Sequence, residues 1–186
     1  MENFTKKDSI ILVYTGDGKG KTSAGLGTLV RGLGAGFKVA FIQFIKDWDV
    51  SEHDFFRTIE PIYGDKLYFY KGGKGFYNAG KMSSSASETD HKNEAKKTFE
   101  IAYKAACSGE YQLVVCDEIN NAVADGLLTS DDLGRLIKNK HPLTNLCLTG
   151  RNFPDSFIDK VDIVTSMTKL KHHFDDNVIA NKGVDY

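Results

Sequence analysis

A glycine-rich segment near the start of the chain carries the residue types needed to bind phosphate. Residues 15–22 read TGDGKGKT and follow a short apolar run. Glycines let backbone N–H groups approach phosphate oxygens closely, and a helix opening after the loop adds a positive dipole end. A lysine there can supply a mobile cation, and a hydroxyl can bind Mg²⁺. We predict a phosphate-binding loop made of Thr15, Gly16, Asp17, Gly18, Lys19, Gly20, Lys21 and Thr22.

Two adjacent carboxylates, Asp117 and Glu118, follow a second apolar run at 113–116. A carboxylate at the end of a strand beside a phosphate loop commonly holds Mg²⁺, directly or through water. Neighbouring side chains at a strand end diverge, so we expect one carboxylate to act on the metal and the other elsewhere. Taken alone, such a pair usually caps a helix. Beside the loop, we favour a metal site formed by Thr22, Asp117 and Glu118.

The elements that must position these residues alternate between strands and helices. Apolar runs predict strands at 9–14, 39–44, 67–70, 113–116, 145–148 and 162–166. Helical spacing predicts helices at 21–33, 88–108, 120–125 and 131–138. Most runs are continuous, which is typical of strands buried on both faces, and the alternation indicates a mostly parallel sheet flanked by helices. We therefore expect one α/β domain over residues 1–186, with the RecA-like fold of P-loop nucleotide-binding proteins.

The segment 71–87 breaks this alternation. It reads KGGKGFYNAGKMSSSAS, rich in glycine, serine and lysine, and is long for a loop within a compact domain. Loops of this length are usually functional lids or disordered segments. We predict a mobile lid, with an ordinary surface loop as the alternative.

Composition and charge exclude several classes of protein. The 186 residues contain 24 Lys and Arg against 25 Asp and Glu, for a formal net charge of −1. Nucleic-acid-binding proteins usually present a basic surface instead. The start lacks the basic and apolar regions of a signal peptide, and no run approaches the roughly 18 apolar residues of a membrane span. We expect a cytoplasmic protein that binds neither nucleic acid nor membrane.

The loop and the carboxylates establish nucleotide binding but leave a kinase, an ATPase and a nucleotidyl or adenosyl transferase open. The order of motifs narrows this choice, because it resembles the P-loop ATP:corrinoid adenosyltransferases nearly from end to end. The matching pieces are TGDGKGKT at 15–22, QFIKDWDVSE at 43–52, GKGF at 73–76, VVCDE at 114–118, TGR at 149–151 and KHHFDDNVIANKGVDY at 171–186. The phosphate loop alone is shared by many families, whereas the full series is much more specific.

The resemblance implies that the 5′-deoxyadenosyl group of ATP is transferred to the Co(I) of a reduced corrinoid and that triphosphate is released. By the same resemblance, Lys19, Lys21 and Arg151 would stabilise the triphosphate, with Mg²⁺ on Thr22 and Glu118. The family also implies a homodimer and a flavodoxin-like reductant. A kinase or ATPase that releases ADP, and a binding protein that holds ATP and corrinoid without turnover, remain alternatives.

Further residues are implied by the motifs around the second strand and the lid. Lys46 and Trp48 follow the second strand at the sheet edge where ligands bind in open α/β folds. Phe76 and Tyr77 would form an apolar lower face for the corrinoid, which favours four-coordinate cobalt. The family usually has tryptophan where this chain has Asn78.

Two positions of the phosphate loop bear on the same resemblance. Thr15 stands where the general phosphate-loop pattern has glycine, and this is the family's own variant. Asp17 stands where most members have asparagine, so a negative charge enters the loop. That charge would weaken phosphate binding if it pointed inward and would have little effect if it pointed outward.

Overall fold

All six predicted strands are present and form one parallel sheet. The computed structural model describes residues 4–47, 49–75, 77 and 85–185. The strands are β1 Ile11–Thr15, β2 Val39–Gln43, β3 Leu67–Lys71, β4 Leu113–Asp117, β5 Asn145–Thr149 and β6 Ile163–Ser166. Their order across the sheet is β3-β2-β4-β5-β1-β6, and every neighbouring pair runs parallel. The predicted P-loop α/β architecture is therefore confirmed.

Helices cover both faces of this sheet. Among the described residues the α-helices are α1 Lys21–Gly34, α2 Ser51–Tyr63, α3 Glu88–Cys107, α4 Ile119–Ala124 and α5 Ser130–Asn139. Short 3-10 helices occupy Gly64–Lys66, Asp155–Lys160 and His173–Asp176. One apolar core joins the sheet to α1 and α2, and the other joins it to α3, α4 and α5. None of these helices is long and apolar enough to cross a membrane.

Helix α2 was not predicted. Its buried residues are His53, Phe56 and Ile59, which recur every three residues along one face. Phe56 stacks on Phe69 of β3, with ring centroids 4.0 Å apart. The same spacing is present in the sequence. Polar residues between the three buried positions, and Pro61 in the last turn, made the helical pattern hard to recognise.

The strands differ in burial according to their place in the sheet. Every residue of β2 and β4 is buried, as continuous apolar runs predict. The prediction fails for β6, where Ile163 is 46% exposed. Strand β6 lies at the edge of the sheet and pairs only with β1, so no second neighbour shields it. Because all strands are parallel, the carboxyl ends of β1, β2, β4 and β5 meet at one edge, where ligands bind in such folds.

Candidate functional site

The phosphate-binding loop joins β1 to α1 and is pressed against the chain that follows β6. Gly18 N donates to Met167 O at 2.7 Å. A Cβ atom on Gly16 would lie 2.4 Å from the same Met167 oxygen, and Gly16 also has a φ of 93°. Glycine is therefore required at this position by both contact and backbone conformation. Lys21 Nζ donates to Gly18 O at 2.5 Å, so the lysine folds back over the loop.

A large cleft opens beside this loop at the carboxyl edge of the sheet. Its volume is about 1630 Å³. Nine of the predicted site residues line it, namely Gly18, Lys19, Gly20, Lys21, Thr22, Lys46, Tyr77, Glu118 and Arg151. One side is an apolar wall formed by Leu26 and Val30 of α1 with Val50 and Phe55 beside and within α2. These nine residues thus share one cavity that has a polar floor and an apolar side.

Asp117 lies behind the cleft rather than in it. The residue is fully buried at the end of β4. Its Oδ1 accepts a hydrogen bond from Thr149 Oγ1 at 2.6 Å. Its Oδ2 accepts from Thr22 Oγ1 at 3.3 Å and from Gln43 Nε2 at 3.0 Å. Asp117 therefore holds the hydroxyl of Thr22, the second residue of α1, at the cleft.

Glu118 faces the cleft and has an unusual environment. Its backbone is left-handed, with a φ of 65°, and its N–H donates to Thr149 Oγ1 at 3.0 Å. Oε2 is buried and finds no hydrogen-bond donor among the described residues. Burial, followed by the nearby charge of Asp117, raises the pKa of Glu118 to about 7. An unpaired carboxylate oxygen of this kind fits a divalent cation, which prefers oxygen ligands.

The two carboxylates diverge as the sequence predicts, with Asp117 in the buried network and Glu118 in the cleft. Within the described part of the chain there is no group of three or more His, Cys, Asp or Glu side chains able to hold a metal ion. A cation at Thr22 and Glu118 would therefore draw other ligands from phosphate and water, as Mg²⁺ commonly does.

Positively charged side chains surround the cleft. Lys46 Nζ pairs with Glu52 Oε1 at 2.7 Å, and both side chains are largely buried. Burial opposes the charge of Lys46, but the carboxylates of Asp117, Glu118 and Glu52 together raise its pKa. Burial and the charge of Arg151 lower the pKa of Lys21. The cleft therefore offers several cationic side chains to a bound anion. A polyphosphate would relieve the repulsion between these side chains.

The two unusual residues of the loop, Thr15 and Asp17, are held on its outer side. Thr15 Oγ1 accepts a hydrogen bond from Phe153 N at 3.2 Å. Asp17 is exposed, and its Oδ1 accepts from Lys169 N at 3.4 Å. Neither belongs to the described lining of the cleft. Asp17 is therefore oriented outward, but its charge still acts on Lys21, where it opposes the lowering of the lysine pKa.

The predicted lid is described only in part. Trp48, Phe76 and Asn78 lie outside the described residues, as do 79–84. Tyr77 lines the cleft, and its ring lies 5.1 Å from that of His91 in α3. The role of Tyr77 as a lid residue stays a prediction.

Several residues at the site were not predicted. Gln43 and Thr149 end the buried strands β2 and β5, and both bond to Asp117. The sequence signal for both residues was a polar side chain directly after an apolar run, which places that side chain at the carboxyl end of a strand. The C-terminal segment 180–185 contributes Ala180, Gly183, Val184 and Asp185 to the cleft lining.

Comparison with known proteins agrees with this geometry. The family described as ATP:corrinoid adenosyltransferase BtuR/CobO/CobP matches residues 7–186. The chain belongs to this family. A corrinoid adenosyltransferase of Sinorhizobium sp is 32% identical over 188 residues, which cover 100% of this chain and 84% of the relative. The Pseudomonas aeruginosa and Escherichia coli K12 proteins of that name are 31% and 29% identical, over 95% of this chain and 83% and 85% of their own lengths.

Membership in the corrinoid adenosyltransferase family confirms the resemblance stated from the motifs. The match includes the phosphate loop, the carboxylate pair and the C-terminal segment. It therefore covers every element that lines the cleft.

Proposed function

We propose that this chain transfers the 5′-deoxyadenosyl group of ATP to the Co(I) of a reduced corrinoid and releases triphosphate. The observation that carries the proposal is the cleft of about 1630 Å³ beside the phosphate loop. Small-molecule pockets commonly enclose about 300–1000 Å³, so this cleft offers room for a nucleotide and a second, large substrate. The family name and the names of the relatives support the same pair of substrates.

The reaction is a substitution at the ribose C5′ of ATP. The electron pair of Co(I) forms the Co–C bond while the C5′–O bond breaks, and its electron pair leaves with triphosphate. Because the corrinoid supplies the nucleophile, the protein needs no general base. Its tasks are to align cobalt with C5′, exclude water and stabilise the charge of the leaving group.

The residues of the loop suit the last of these tasks. Lys19, Lys21, Arg151 and backbone N–H groups of the loop other than Gly18 N, which donates to Met167 O, would bind the triphosphate. Arg151 can form paired hydrogen bonds with phosphate oxygens. Thr22 and Glu118 would hold Mg²⁺, which neutralises phosphate charge when bound. Asp117 would orient Thr22 from behind through their hydrogen bond.

The corrinoid would lie on the remaining side of the cleft. The position of Tyr77 in the cleft lining supports a lid of Phe76 and Tyr77 against its lower face. Lys46 and Trp48, which follow β2, would contact the substrates at the same edge of the sheet. The resemblance further supports a cytoplasmic homodimer that receives electrons from a flavodoxin-like protein.

An anaerobic assay tests this function. ATP, Mg²⁺ and chemically reduced corrinoid are supplied, the Co–C product is followed by its spectrum, and the phosphate product is identified. We expect adenosylated corrinoid and triphosphate. Release of ADP would indicate a kinase or ATPase instead, and tight binding without product would indicate a binding protein.

The Lys21→Met variant should lower kcat/KM for ATP by about 10²- to 10³-fold, the usual effect of removing one charge-stabilising group. Lys66→Met is the matched control, because Lys66 is exposed just before β3, at the opposite edge of the sheet. Equal activity in the two variants would contradict the proposed role of Lys21.

A further inference from the structure

A chain of hydrogen bonds connects the phosphate loop to a histidine inside α2. Thr22 Oγ1 donates to Asp117 Oδ2, and Gln43 Nε2 donates to the same oxygen at 3.0 Å. On its other side, Gln43 Oε1 lies 2.7 Å from His53 Nε2. His53 is only 2% exposed, in the first turn of α2. The chain thus runs from the mouth of the cleft through β4 and β2 to α2.

The orientation of the Gln43 amide follows from the charges around it. Its Nε2 faces Asp117 at 3.0 Å and Glu52 Oε1 at 3.5 Å. Turning the amide over would place its carbonyl oxygen against two carboxylates, with no proton between them. The N–H group must therefore face Asp117 and Glu52, and Gln43 Oε1 must accept a hydrogen bond from His53.

The partners of His53 then determine which ring nitrogen carries the proton. Nε2 donates to Gln43, so in the neutral ring Nδ1 is an acceptor. Val50 N donates to Nδ1 at 3.4 Å, and the exposed carboxylate of Asp49 lies 3.5 Å from the same nitrogen, where it acts to raise the pKa of His53. Burial, followed by the charge of Lys71, lowers the pKa of His53 and so favours this neutral form.

We propose that His53 is a positioning residue of the nucleotide site: its Nε2–H group holds the Gln43 amide so that Gln43 donates to Asp117 and Glu52. Asp117 in turn holds the Thr22 hydroxyl, and Glu52 holds Lys46, so one imidazole orients two groups that line the cleft. This inference rests on the proposed function, because it takes the cleft as the binding site of Mg·ATP. It adds a residue that touches neither substrate.

A double-mutant cycle on Mg·ATP binding tests the coupling. Dissociation constants are measured by calorimetry for the unsubstituted chain, His53→Phe, Gln43→Leu and the double variant. We expect His53→Phe to raise the dissociation constant for Mg·ATP by about tenfold, because it removes a hydrogen bond that anchors a group beside a charge. The double variant should bind no more weakly than Gln43→Leu alone, because His53 acts only through Gln43.

Two further variants separate positioning from packing. His53→Gln restores an N–H donor and should return the affinity to within about threefold of the original. Phe56→Leu is the matched control, because Phe56 is buried one turn further along α2 and its ring contacts, with Phe41, Phe55 and Phe69, are all apolar. It should lower the midpoint of urea unfolding and leave the Mg·ATP affinity unchanged.

The proton position is tested on the unsubstituted chain, so this measurement does not depend on whether the variants fold. Nitrogen-15 NMR of the labelled histidines, with His53 assigned by its loss in His53→Phe or His53→Gln, should show a neutral ring protonated at Nε2. A ring protonated at Nδ1 would overturn the inference. Additive losses in the mutant cycle, or affinity lost equally in Phe56→Leu, would overturn it as well.

The outcomes also distinguish this inference from the proposed reaction. Mg·ATP binding with the expected coupling, but without formation of a Co–C bond, would refute the transfer reaction and support the role of His53. Failure of the unsubstituted chain to bind Mg·ATP would refute both. Adenosylation that is unaffected by His53→Phe, together with unchanged affinity, would refute the role of His53 alone.

Discussion

Glu118 combines three features that a folded protein usually avoids at a single residue. Its backbone is left-handed without being glycine, its Oε2 is buried without a donor among the described residues, and a second carboxylate precedes it. Strained backbone and unpaired polar atoms each cost on the order of 1–3 kcal/mol. They concentrate at functional sites, where a bound ligand compensates for them. A cation bound at Glu118 would offset this cost, which the protein bears when the site is empty.

This cost predicts a pH dependence of the free energy of unfolding. The pKa of Glu118 is about 7 when folded, against an ordinary value of 4.5. Between these values the folded chain binds more protons than the unfolded chain, so stability falls as pH rises from about 4.5 to 7. Glu118→Gln removes this contribution and should be more stable than the original above pH 7, by on the order of 2–3 kcal/mol.

Urea unfolding of both chains at several pH values, without metal or nucleotide, measures this difference. Below about pH 4.5 the two free energies should converge, because Glu118 is then neutral in both states. Addition of Mg·ATP at pH 8 should stabilise the original more than Glu118→Gln. If the free energies of unfolding of the two chains change with pH in parallel, the folded protein does not raise the pKa of Glu118, and the prediction is wrong.

Helix α1 shows how one element serves both the fold and the site. It places Lys21 and Thr22 at the cleft, while its two buried glycines meet the sheet. Gly25 and Gly32 are buried against β-strand side chains, whereas a Cβ on Gly27 or Gly34 would meet nothing within 4 Å. Close packing therefore explains only the inward-facing glycines.

A matched pair of substitutions tests this distinction. A Cβ on Gly32 would lie 2.9 Å from Leu113 Cδ2 and 3.2 Å from Val39 Cγ2, so Gly32→Ala must displace two core side chains. We expect it to lower the free energy of unfolding by about 1 kcal/mol after the gain in helix propensity is included. Gly34→Ala should instead raise it by about 0.5–1 kcal/mol. Urea unfolding measures both, and the same sign for both variants would contradict the packing assignment.

At the scale of the whole molecule, the C-terminal segment closes the cleft from outside the sheet. Lys19 Nζ donates to Asp185 O at 3.2 Å, and Gly183 N donates to Ser51 Oγ at 3.1 Å. His173 Nε2 lies 3.1 Å from Asp185 Oδ2. These contacts join the two ends of the sequence at one site and connect the phosphate loop to the start of α2.

The backbone at Gly183 offers a test of this connection. Its φ is 79°, and a Cβ there would meet nothing within 4 Å, so Gly183→Ala strains only the backbone. We expect a several-fold loss of Mg·ATP affinity by calorimetry with little change in thermal stability, because the segment is mostly exposed and belongs to neither apolar core. Gly36→Ala is the control, since Gly36 has a φ of 81° in equally open space at the end of α1. It should lower stability by about 1 kcal/mol and leave the affinity intact.

Most of the architecture could be predicted because its signals are local. Each strand is a run of adjacent apolar residues, and the six observed strands begin and end within about two residues of the predicted bounds. The phosphate loop and the carboxylate pair were likewise recognisable from neighbouring residues. The alternation of elements implied a parallel sheet, and a parallel sheet brings strand ends to one edge. The grouping of Lys21, Thr22 and Glu118 could therefore be anticipated.

The supporting residues could not be found in this way, because their roles arise from contacts between distant parts of the chain. Gln43 and Asp117 are 74 positions apart, and Lys19 and Asp185 are 166 apart. No local pattern predicts that His53 in α2 bonds to Gln43 at the end of β2. Nor does one predict that the C-terminal segment returns to the phosphate loop. Residue type and local order specify which groups could do chemistry, while packing of the sheet and its helices selects the partners that hold those groups in place.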